Sequence, residues 1–131
     1  MYIKDFSVDK KRTILDLGIY AAMSDEVMTD EERAVVDKIC AEMELKSDYN
    51  PVYSLEITLF ALDKNFNEDE KRKIFIEIVS IVAADHVTER EEAFIRKLQE
   101  KLAIPEDKYE LAMSIAKDFL RVTSVLEQYL S

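Results

Sequence analysis

Chain breakers are nearly missing from these 131 residues: there is one glycine, Gly18, and there are two prolines, Pro51 and Pro105. So few breakers disfavour a sheet protein with many tight turns and favour long helices joined by short connections. A single glycine also rules out a glycine-rich phosphate loop. Cys40 is the only cysteine, so an internal disulfide or a cysteine-rich metal site is excluded. There is no tryptophan, and His86 is the only histidine. The opening Met1-Tyr2-Ile3-Lys4-Asp5-Phe6 lacks the apolar run of a signal peptide. No uncharged stretch approaches the ~20 residues that span a bilayer. The sequence reading is therefore a protein of the reducing cytoplasm with no membrane attachment.

Acid is what the chain has in excess. With 28 acidic and 18 basic residues the net charge is −10. Phosphate backbones and anionic membrane surfaces repel such a chain, which argues against nucleic acid as a partner. Cations and basic proteins are its electrostatic complements. A hydrophobic content of 48% and a charged content of 35% suit one globular domain across 1–131 and argue against disorder.

Hydrophobic periodicity places about six or seven helices. Ser7 caps a first helix running to about Ser24, apolar nearly all round from Ile14 to Met23, with Gly18 allowing another helix close. Thr29 and Glu32 have the spacing of a capping box before the stripe Val35, Val36, Ile39, Cys40, Met43. Asn50-Pro51 is read as the start of a third helix carrying Leu55, Leu59 and Leu62, with proline at the first helical position. Asn67 and Glu70 open a fourth, whose body from Ile74 to Ala84 has one charge and should be the most buried helix. Thr88 and Glu91 repeat the capping box ahead of Phe94, Ile95, Leu98 and Leu102. Pro105 opens a last segment, where Leu111, Ile115, Phe119 and Val122 continue a stripe that Val125, Leu126, Tyr129 and Leu130 extend. Arg121-Val122-Thr123-Ser124 leaves open whether this is one helix or two.

An acidic turn occurs twice: Ser24-Asp25-Glu26-Val27-Met28-Thr29-Asp30-Glu31-Glu32, and Ala84-Asp85-His86-Val87-Thr88-Glu89-Arg90-Glu91-Glu92. At an offset of 59, Thr29 matches Thr88, Glu32 matches Glu91, Val36 matches Ile95, Ile39 matches Leu98 and Met43 matches Leu102. Before the turn the offset is 60, pairing Asp25 with Asp85 and Ile14 with Ile74, so the second turn is one residue shorter. The repeat covers about 14–62 and 74–120. Two helical halves sharing one core follow, since neither could bury its apolar face alone.

Hard cations such as Ca²⁺, Mg²⁺ or Mn²⁺ bind clustered carboxylate oxygens, and a histidine tilts a site toward Zn²⁺. The candidate ligands are Asp25, Glu26, Glu32, Asp85, His86 and Glu91. Capping and helix dipoles already account for many of the acids. Asp25 and Asp85 are the least explained in that way. The EF-hand pattern fails, because the alternate positions after Asp25 hold Val27 and Thr29 and no glycine turns the loop. No His-Glu-x-x-His or Gly-x-Ser-x-Gly occurs, and a Cys40–His86 dyad would need two distant segments to meet. No catalytic residues are assigned. The alternative function is an interaction module that docks a basic protein on its acidic face.

These turns resemble the hallmark of the TerB-like family, named for tellurite-resistance protein B: small residues, then Asp-Gly, then a hydrophobic residue, Ser or Thr, and Glu at the next helix start. The matching residues are Ala22-Met23-Ser24-Asp25 with Met28-Thr29 and Glu32, and Ala83-Ala84-Asp85 with Val87-Thr88 and Glu91. Glu26 and His86 stand where the family has glycine, so this chain resembles a divergent member. The resemblance implies an all-α fold of roughly seven helices in two related halves. It also implies a cytoplasmic, bacterial, non-enzymatic protein linked to stress or tellurite resistance and to metal binding, with related domains beside co-chaperone modules.

Overall fold

The computed structural model describes residues 6–24, 26–83 and 87–131. Within them the fold is all-α, with six helices: α1 (Val8–Ala22), α2 (Asp30–Glu42), α3 (Leu55–Asn65), α4 (Glu68–Val82), α5 (Glu89–Lys101) and α6 (Glu106–Leu130). Ser7 caps α1 through Lys10 N–H, as expected.

α1 and α4 form the centre. From Ile14 to Ala22 only Tyr20 of α1 escapes full burial, and α4 buries Ile74, Phe75, Ile78, Val79, Ile81 and Val82. A helix apolar on nearly every side must be covered on every side. α2 and α3 lie against α1, α6 lies against α4, and α5 touches both. Gly18 lets α1 and α4 pack tightly: a Cβ there would lie 3.1 Å from Ile81 Cδ1. The stripe of α2 packs as read, with Val36, Ile39, Cys40 and Met43 buried, and that of α5 buries Ile95, Leu98 and Leu102. The Cys40 thiol is pushed up by burial, in keeping with an inert core side chain.

Element lengths follow the sequence repeat in α1–α2 and α4–α5 but not in α3 and α6, which have 11 and 25 residues. α1 and α4 both have 15 residues, and α4 begins 60 positions after Val8. α2 and α5 both have 13, and Glu89 follows Asp30 by 59. Both end in the same way. Leu45 N–H donates to Cys40 O (2.8 Å) across Glu44 at φ 61°, and Ile104 N–H donates to Gln99 O (3.0 Å) across Ala103 at φ 52°. These are Schellman turns, a place where glycine is the usual choice.

One expectation about helix boundaries is corrected, and one open boundary is decided. α3 does not begin at Asn50-Pro51; it begins at Leu55, with Ser54 as its cap. The reason lies in α1. The buried Asp16 carboxylate accepts from Val52 N–H and Tyr53 N–H, both at 3.1 Å, and spends on a loop the donors a helix would have left open. Arg12 completes the clamp, pairing with Asp16 (2.7 Å) and donating to Asn50 O (2.9 Å). The last segment is one unbroken helix, since Arg121–Ser124 all continue α6. Its stripe from Leu111 to Tyr129 does not join the core. The core side is instead Tyr109, Ala112 and Ala116, whose small alanines let α6 lie close to α4.

Candidate functional site

The two turns meet through their capping boxes. In the first, Thr29 N–H donates to Glu32 Oε1 (2.9 Å) and Glu32 N–H donates to Thr29 Oγ1 (3.1 Å). In the second, Thr88 N–H donates to Glu91 Oε1 (2.9 Å) and Glu91 N–H donates to Thr88 Oγ1 (3.2 Å). Box glutamates usually sit at a wet helix start. Here Glu32 is 2% exposed and Glu91 is 3% exposed.

The two buried carboxyls are near enough that Glu91 acts directly on Glu32. Glu32 Oε2 is buried and receives no hydrogen bond among the described residues. Two ionised carboxylates are acceptors only, so this approach is satisfied by a shared proton or by a cation between them. The environment acts accordingly. Loss of water, then the neighbouring Glu91 carboxyl, push the Glu32 carboxyl up from 4.5 to about 7, against the lowering effect of the Thr29 bonds. The positive dipole ends of α2 and α5 both face this place, which lessens the repulsion.

The other expected ligands fall differently. Asp25, Asp85 and His86 lie outside the described residues. Glu26 is exposed and reaches across to the second turn, pairing with Arg90 at 3.1 Å. Both partners are largely solvated, so the pair contributes little to stability. Glu26 also has φ 65°, the left-handed conformation that glycine favours. Among the described residues no group of three or more His, Cys, Asp or Glu side chains could hold a metal ion; Glu32 and Glu91 supply two carboxylates. Two surface depressions, one of about 360 Å³ beside Arg12 and Asp48 and one of about 620 Å³ between α5 and α6, include neither glutamate.

Sequence reasoning placed Glu32 and Glu91 at equivalent positions but gave no sign that equivalent positions touch. It missed Asp16 altogether. The available signal was a lone acid in an apolar helix four residues after an arginine.

Among the described residues no helix is long and apolar enough to cross a membrane. Comparison of the chain with protein-family models, curated proteins and solved structures gave no match.

Proposed function

We propose that this chain is a non-enzymatic binding protein of the TerB-like kind, built of two related halves, that takes up a divalent cation between its duplicated acidic turns. The observation that carries the reading is the buried Glu32–Glu91 pair, with Glu32 Oε2 left without a donor among the described residues. A cation is the partner that satisfies both carboxylates while both stay ionised. Asp25 and Asp85 open the same turns in the sequence and are the further oxygen ligands in this proposal. The two halves are supported by the matched lengths and capping boxes of α1–α2 and α4–α5. The cytoplasmic setting is supported by the lone buried Cys40, and the stress or tellurite context by the family resemblance alone.

The test is calorimetric and thermal titration with Ca²⁺, Mg²⁺, Mn²⁺ and Zn²⁺ on the wild type, on Glu32→Gln/Glu91→Gln and on Asp25→Asn/Asp85→Asn. Glutamine keeps an acceptor for the cap N–H, so both boxes survive the first change. One cation should raise stability by about 2.7 kcal/mol at a hundred times its dissociation constant, and both double variants should lose that gain. No heat and no shift with any of the four at millimolar concentration overturns the proposal.

A further inference from the structure

The exposed face of α6 takes no part in the core. Leu111, Ile115, Phe119, Val122, Leu126 and Tyr129 are each more than half exposed. From Ile115 onward their spacing alternates four and three, the spacing of a coiled-coil seam. Beyond Ala116 only Leu120 of α6 is partly buried, and 121–130 is exposed at every position, a helical end without support from the other described residues. A free segment of that length is marginal in water, since isolated helices below about 12–15 residues barely form.

We infer that this face is covered by α6 of a second copy of the chain, giving a dimer joined along the seam. Area is the first argument. With the flanking Val125 and Leu130 the stripe exposes on the order of 800 Å², the share one partner gives to a standard interface and more than the ~300–600 Å² patch of an ordinary monomer. Charge is the second. Residues 111–131 contain Lys117 and Arg121 against Asp118 and Glu127, so this stretch is neutral and the whole −10 lies in residues 1–110. Two strongly acidic molecules can approach here without facing like charge, whereas a basic protein would be drawn to the other side of the molecule. An anionic membrane finds no excess of lysine and arginine on this helix. A two-fold pairing is self-complementary and closes on itself.

Sedimentation velocity of the full chain is the test. The wild type should sediment as two copies of the 15.2 kDa chain at micromolar concentration. Phe119→Glu/Leu126→Glu changes only exposed side chains and should keep the thermal unfolding of the core while weakening association by about a hundred-fold. A wild type that stays monomeric at high micromolar concentration overturns the proposal, as does a dimer untouched by the double variant. So does a monomer that sediments with phosphatidylglycerol vesicles, which would make the face a membrane contact.

Discussion

Glu32 and Glu91 stand 59 positions apart, each completing the capping box of its own helix, and the two buried carboxylates meet between the starts of α2 and α5. Each keeps one oxygen on its own cap, so the groups meet with acceptors only. That conflict is the most specific chemical feature of the molecule. Its consequence is that the Glu32 carboxyl keeps its proton well above the usual carboxylate range.

Without a divalent cation, stability should therefore fall as pH rises from 4.5 to 7. Folded Glu32 holds its proton to about 7, whereas the unfolded carboxyl releases it near 4.5. The contribution is complete below 4.5 and lost as pH climbs through 7, with a slope of at most about 1.4 kcal/mol per pH unit. Asp48, Glu70 and Glu106 are held low by hydrogen bonds and by Arg12, Lys10 and Arg96. Their contributions are lost only as pH falls below the ordinary carboxylate range. Urea unfolding across this window should show the slope in the wild type and a flatter line in Glu32→Gln. An unchanged slope in the variant would remove Glu32 as its source.

Saturating cation should erase the same slope, because it replaces the shared proton and leaves Glu32 ionised throughout. The pH series repeated with the cation that titrates best reads this directly. A slope that persists would mean the cation binds elsewhere.

Ala103→Gly should stabilise the protein by about 0.5–1 kcal/mol, and Glu44→Gly by a similar amount. Both residues occupy left-handed positions that end α5 and α2. Glycine relieves the side-chain clash there, at some cost in unfolded-chain entropy. Chemical denaturation at neutral pH measures the difference, and a loss of stability would count against the Schellman geometry.

Asp16→Ala should cost about 2–4 kcal/mol, since it leaves the N–H groups of Val52 and Tyr53 without their acceptor, while Arg12 keeps Asp48 and Asn50 O. Hydrogen exchange should rise first in residues 50–54. A loss below about 1 kcal/mol would show that the loop is held by other contacts.

Gly18→Val should cost about 1–3 kcal/mol by overpacking against Ile81 and Ile78. Gly18→Ala should stay within about 1 kcal/mol of wild type, because gained helix propensity offsets the tight contact with Ile81 Cδ1. Thermal unfolding of both variants separates the two effects. A tolerated valine would mean that α1 and α4 can move apart.

Local rules made much of this molecule readable from its residues. The boxes at Thr29–Glu32, Asn67–Glu70 and Thr88–Glu91 are complete within four residues, and all three form. The near-continuous apolar runs of α1 and α4 marked them as central, because a helix without a polar side has nowhere to go but inside. Gly18 in such a run pointed to a close crossing.

Relations between distant segments were decided by the tertiary structure. Asn50-Pro51 carries a good local start signal, yet Asp16, more than thirty positions away, claims the next two N–H groups and moves the start of α3 to Leu55. In α6 the larger apolar stripe was the natural core face by pattern. Packing chose Tyr109, Ala112 and Ala116 instead, since small side chains permit the shorter distance to α4. Sequence determined what each helix is and, α3 apart, how it starts, because capping and periodicity act within a few residues. Only the fold decided which acids become neighbours, because the Glu32–Glu91 encounter depends on how the helices pack.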